Sequence, residues 1–274
     1  MPYADQARQH LSNYKRQTLR VLEDGEWRKQ GPKYSHILPD WEGGLNLLEP
    51  FREEMNTYLS ARVKKHRGFH HLNSSQAMAL NLFYPALQSA PMQRCLTQAL
   101  ADSDRTIADW HFEWVADSKE GTNFDLHLEL DTGENVYVEV KFTESSFGTA
   151  SEKRTDGAYQ AKLDGIYRDR LADKVIPEFL ELDAFCRHYQ LLRNISYAGS
   201  GSRVVFVVPA GNTSAQRHAR QVLDHALLPG VSGISLVTVE KIHEALAAAA
   251  VEDARLDLHY RQFKDKYLWG DTEK

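Results

Sequence analysis

The run from Phe124 to Phe142, FDLHLELDTGENVYVEVKF, leaves the chain few choices. Side chains alternate across a strand, so Phe124, Leu126, Leu128 and Leu130 make one apolar face and Asp125, His127 and Glu129 the other. The second half repeats the pattern, with Val136, Val138, Val140 and Phe142 opposite Tyr137, Glu139 and Lys141. Asp131 to Asn135, centred on Gly133, reads as the hairpin loop. Pairing Leu130 with Val136 puts His127 across from Glu139 and Asp125 across from Lys141. Two carboxylates and an ammonium then share a small patch of sheet, which suits a hard divalent cation and a water activated beside it. A solvated face with a plain Asp–Lys pair is the simpler alternative. The crowding of His127 and Glu129 onto that face, and the elements available to cover it, weigh against that alternative.

Those elements follow from periodicity. Ala4–Leu22 and Leu47–Val63 have helical spacing, with a loop between Gly25 and Asp40. Asn73-Ser74-Ser75 caps a helix from Gln76 to Leu87 that continues toward Leu100. Strands are expected at Trp110–Val115, Phe124–Leu130 and Tyr137–Phe142, then helices at Asp156–Leu171 and Pro177–Arg193. Val204–Val208 is continuously apolar, as in a strand buried on both faces. A capped helix, Asn212–Leu227, links it to a strand at Ile234–Val239, which implies a parallel crossover. Helices at Lys241–Ala250 and Glu252–Lys266 follow. The fold class is therefore α/β, a mixed sheet flanked by helices. Residues 1–68 read as an N-terminal helical extension and 69–274 as the main domain.

Asp125, followed by Glu139-Val140-Lys141 on the next strand, resembles the PD-(D/E)XK nuclease superfamily. The wider runs HLNSSQAMALNLFYPAL, EGTNFDLHLEL and VYVEVKFTESSFG are similar to its restriction-endonuclease-like members. Phe124 stands where the superfamily's name has proline. The resemblance implies a restriction-endonuclease-like fold and a DNA endonuclease of restriction or defence type. Asp125, Glu139 and Lys141 would be catalytic. Mg²⁺, with Mn²⁺ as substitute, would rest on Asp125, Glu139 and the Val140 carbonyl. Cleavage would leave a 5′-phosphate and a 3′-hydroxyl. Glu113, His127, Glu144 and Gln160 are further candidates around the site, although the fourth residue after Gln160 is Asp164 rather than tyrosine.

The densest basic stretch is Lys64-Lys65-His66-Arg67. Lys64, Lys65 and Arg67 could neutralise backbone phosphates or simply end a helix. His66, His70 and His71 read as surface histidines, because no acidic or cysteine partner follows at zinc-like spacing. The net charge of −5 argues against a protein that coats DNA indiscriminately but not against a nuclease with a local basic patch. No apolar run approaches membrane-spanning length, and Cys95 and Cys186 are solitary, as in a reducing compartment. The expectations are a cytoplasmic protein that takes DNA as its partner, with a homodimer left open. A non-catalytic nucleic-acid-binding or interaction module on the same fold is the rival.

Overall fold

The computed structural model describes residues 1–118, 120–150 and 157–270. Helix α1 spans Tyr3–Gln17, and a minimal hairpin pairs β1 (Gly25–Glu26) with β2 (Lys33–Tyr34). Then come α2 (Arg52–Arg62), α3 (Ser75–Leu87) and α4 (Ala90–Ala101). The expected continuation past Leu87 is two helices. Ser89 is extended at φ −135° and ψ 122°, and Pro91 opens a new first turn. Three strands follow: β3 (Ile107–Asp117), β4 (Thr122–Leu130) and β5 (Asn135–Val140).

The stretch after β5 is broken into short helices: α5 (Ala158–Lys162), a π-helical turn at Leu163–Tyr167, α6 (Arg168–Leu171), α7 (Leu182–Arg187) and α8 (Tyr189–Ile195). Asp156, the expected start of the first of these, lies outside the described residues. Strand β6 (Ser202–Val208), α9 (Thr213–His225), β7 (Ile234–Thr238), α10 (Val239–Ala249) and α11 (Ala254–Tyr267) complete the order. The main sheet runs β3-β4-β5-β6-β7, antiparallel over its first three strands and parallel from β5 to β7.

Two cores hold the sheet. Leu126, Leu128, Leu130, Val136, Val138 and Val140 pack under α3, α4, α10 and α11, and Leu11, Leu47, Phe51, Met55 and Leu59 join that same cluster from the N-terminal stretch. Val204, Phe206 and Val208 face the second core, with Leu163, Tyr167, Leu192 and Val222, while Val205 and Val207 face the first. That split is the physical meaning of the continuous apolar run in β6.

One expected face assignment changes. Phe124 belongs to the second core, not with Leu126. Glu113, between the Phe112–Leu126 and Trp114–Phe124 pairs, has φ +54°, and a left-handed residue inside a strand re-aims the side chains on either side of it. His70 and His71 are also buried rather than on the surface. His70 Nε2 lies 2.9 Å from the Glu26 carbonyl and His71 Nε2 3.3 Å from that of Trp27, so both rings anchor the small hairpin.

Candidate active site

Asp125 lies directly across from Glu139, a register fixed by the pairs Leu126–Val138 and Leu128–Val136. The expected pairing of Leu130 with Val136 is therefore displaced by two residues. The cause is a shorter turn. Leu130 N–H donates to the Glu134 carbonyl at 2.8 Å, and Gly133 N–H to that of Leu130 at 2.8 Å. Only three residues remain in the loop, and Gly133, at φ +80°, takes the left-handed position that closes it. His127 consequently faces Tyr137, not Glu139, and Asp125 faces Glu139, not Lys141. A shift of two leaves each residue on its own face, so the acidic pair still converges.

Asp125 Oδ2 accepts the Val140 N–H at 2.6 Å. Glu139 is buried, and Lys141 Nζ donates to its Oε1 at 2.6 Å. Gln190 Nε2 donates to the same oxygen at 2.6 Å and Asn194 Nδ2 to Oε2 at 3.2 Å. Gln190 and Asn194 sit one turn apart on α8 and so share a face. Sequence reading missed both and looked to Gln160, whose amide donates to Asp164 at 2.7 Å.

Asp125 keeps part of its surface open, but its carboxyl is enclosed. Burial, then the charges of Glu139 and Glu113, hold its pKa well above the usual carboxylate range, against the pull of Lys141. Burial opposes the Lys141 ammonium, but the carboxylates of Glu139, Asp125 and Glu144 outweigh it and keep its pKa above that of an ordinary lysine. Glu144 Oε2 accepts the Phe142 N–H at 2.8 Å, and the loop is fixed further by Asn212 Nδ2, which donates to the carbonyls of Phe142 and Glu144.

Glu113 connects this cluster to the basic segment. Its Oε1 accepts from Gln76 Nε2 at 2.8 Å, its Oε2 accepts from the Asn123 amide, and His66 Nε2 stands 3.0 Å from Oε2. That contact with Glu113 raises the pKa of His66 in spite of burial. Gln76 also accepts the His66 N–H at 2.8 Å and donates to the Lys64 carbonyl at 3.2 Å, which holds Lys64–His66 beside Glu113. A groove of about 740 Å³ lies there, lined by Arg62 to Arg67 with Glu113, Val115 and Asn123. Lys64, Lys65 and Arg67 all line it, and Lys65 turns its ammonium to the Glu42 carbonyl at 2.8 Å. His127 stands apart, in a ring stack with Trp114 and Tyr137, and its Nε2 lies 2.8 Å from Asn135 Oδ1.

Among the described residues no three of His, Cys, Asp and Glu gather as a ready cation cage. The oxygen donors that converge are two carboxylates on neighbouring strands, set against one lysine.

A five-stranded mixed sheet with helices on both faces, and an acidic pair where its antiparallel half meets its parallel half, define a restriction-endonuclease-like α/β protein. The sequence matches the family described as restriction endonuclease associating with ARP over residues 8–268, and the chain belongs to that family. No curated protein and no solved structure matches the chain. Among the described residues no helix is long and apolar enough to cross a membrane.

Proposed function

We propose that this protein is a divalent-metal-dependent nuclease that hydrolyses DNA phosphodiester bonds. The observation that carries the reading is the Asp125–Glu139 cross-strand pair with Lys141 bonded to it at 2.6 Å. The donors fit Mg²⁺ or Mn²⁺: hard oxygens, few in number, with the Asp125 carboxyl held above its usual range first by burial and then by the charges of Glu139 and Glu113. Asp125, Glu139 and the Val140 carbonyl would hold the ion, which when bound supplies Lewis-acid charge neutralisation and a more acidic water. Lys141, kept charged by its neighbours, donates to a phosphate oxygen as negative charge grows on it. Gln190 and Asn194 orient the Glu139 carboxylate, and Lys64 and Arg67 neutralise strand phosphates. Cytoplasmic location, a homodimeric state and a protein partner, to which the family description points, belong to the same proposal.

The test is cleavage of supercoiled, linear and single-stranded DNA by the purified chain with Mg²⁺, Mn²⁺ or chelator. Metal-dependent nicking that Asp125→Ala and Glu139→Ala both abolish is the expected result. Full activity in either variant overturns the assignment. One observation favours the rival, non-catalytic module: Glu139 already accepts three side-chain hydrogen bonds. Under that reading, calorimetric titration finds no metal site that depends on Asp125.

A further inference from the structure

The segment Lys65–Arg67 has two sides. One faces the groove lined by Glu113, Val115 and Asn123. The other closes a separate basin of about 520 Å³, lined by Arg28, Lys29, Trp41, Glu42, Lys65, His66 and Arg67. Arg28, Lys29 and Arg67 pair with no carboxylate among the described residues. Arg28, Lys29 and Arg67 are exposed, and together they give this hollow a local positive potential in a chain of net charge −5.

Among these cations stands an indole. Trp41 is 37% exposed, and its inner face leans on the His70 ring, with centroids 4.3 Å apart. The loop that carries it has no slack. Gly43, at φ +63°, lies so close to the His70 backbone that a β-carbon there would come within 2.9 Å of the His70 Cα. Lys65 fastens the opposite wall through the Glu42 carbonyl and lies over the Phe69 ring at 5.2 Å. The indole is therefore held against His70 and lines the basin.

Cations alone would describe a patch for duplex phosphates. An exposed aromatic face among them describes a place for a base that has left its stack, because every base offers a π-face and every nucleotide a phosphate. The basin has the size range of small-ligand sites and adjoins the groove lined by Glu113, whose charge acts on Asp125. We infer that it binds one unstacked nucleotide of the DNA strand, with the base on Trp41 and the phosphate on Arg28, Lys29 and Arg67. This rests on reading the neighbouring cluster as a nucleic-acid site, and it names the substrate more narrowly: DNA with a single-stranded or opened position near the cut.

The experiment uses the full chain in chelator, so that binding is read without cleavage. Anisotropy compares a labelled single strand with its blunt duplex, and intrinsic tryptophan fluorescence is titrated with 5′-dAMP. The expected outcome is tighter binding of the single strand and quenching by dAMP. Trp41→Ala abolishes the quench and weakens single-strand binding by about tenfold or more, while the blunt duplex is little affected. Trp41→Phe keeps a ring and retains most of the affinity. Arg28→Ala with Lys29→Ala flattens the salt dependence by roughly one to two counterions.

Equal affinity for the two DNA forms, together with a dAMP quench that survives in Trp41→Ala, overturns the inference. Thermal melting of each variant separates a lost contact from a lost fold, and Trp41→Phe decides if the alanine variant is unfolded. Cleavage with Mg²⁺ is scored separately. A chain that binds dAMP at Trp41 but never cleaves retains this site and loses the nuclease reading. A chain that cleaves through Asp125 and ignores Trp41 does the reverse.

Discussion

Lys266 is fully buried and Lys141 nearly so, and their pKa values move in opposite directions. Lys141 has Glu139 at 2.6 Å and feels Asp125 and Glu144, so it stays charged. Lys266 Nζ donates to the Asn46 carbonyl and Oδ1 at 2.5 and 2.6 Å, and lies 4.8 Å from the Tyr267 ring. Burial, followed by the charge of Arg52, drives its pKa well below the lysine range. Burial alone neutralises an ammonium, and only carboxylates reverse that. Among the carboxylates around Lys141, Asp125 is raised first by burial and then by the charges of Glu139 and Glu113. The Lys266 network is complete within the protein: Asn81 accepts the Leu48 N–H and donates to Asn46 and Tyr267, and Asn46 donates to the Phe69 and His71 carbonyls. The Lys141 cluster has negative charge left over, which is what a cation-binding site needs.

The same substitution at both lysines breaks the comparison most sharply. Lys141→Met is expected to lower cleavage by about a thousandfold, the scale for a lost charge stabiliser. It should also cost roughly 3 kcal/mol at neutral pH by leaving buried carboxylates unpaired, most of which Glu139→Gln in the same chain restores. Single-turnover cleavage and chemical denaturation of the four chains check both effects. An uncompensated loss of stability in the double variant would show that the cost comes from the lost lysine stem and not from unpaired carboxylates.

A second effect lies on the acid side. Burial, against a hydrogen bond to the Asn81 carbonyl, pushes His259 down to about 4. The unfolded chain takes up that proton first. His259 therefore contributes stability that is present above pH 6.5 and is lost as pH falls toward about 4. At one such group the loss is roughly 3 kcal/mol. His36, His71 and His188, each near 4, act in the same direction. Denaturation midpoints measured between these limits should fall steadily, and His259→Phe should flatten the decline.

The smallest effect belongs to Lys266→Met. Asn46 Oδ1 loses a donor, at a cost of about 1–3 kcal/mol, and cleavage is unchanged. Its pH signature separates it from Lys141. With the folded pKa depressed, wild-type stability climbs as pH rises toward 10.5, and the methionine variant lacks that climb. Lys141 has a raised pKa, so its contribution is whole below 10.5 and fades only above it. A climb that persists in Lys266→Met would mean that Lys266 is not neutral in the folded protein.

The sequence showed which residues share the acidic face because a period of two depends only on local alternation. The register escaped it by two residues, since Asp131–Asn135 can form a three- or a five-residue loop and only the closed turn at Gly133 decides. Phe124 crossed to the second core because of a left-handed Glu113 on the neighbouring strand. Gln76, Gln190 and Asn194 reach the site from 37 to 55 residues away in the chain, a distance over which spacing carries no signal. Gln76 sits in a helix whose residues are buried nearly throughout, so its amide looked like one more core position until Glu113 was placed beside it.

The bond from Lys266 to Asn46 spans 220 residues, and that from Tyr267 to Asn81 spans 186. Contacts so remote in sequence cannot form until α11 has been made, and closing them late is entropically slow. Until α11 has left the ribosome, α3 and the strands that carry Asp125 and Glu139 have an open apolar flank. Synthesis itself then acts as the timer. A chain that ends before Ala254 should remain protease-sensitive and unable to melt cooperatively, and a cooperative transition in such a chain would show that the core closes without its last helix.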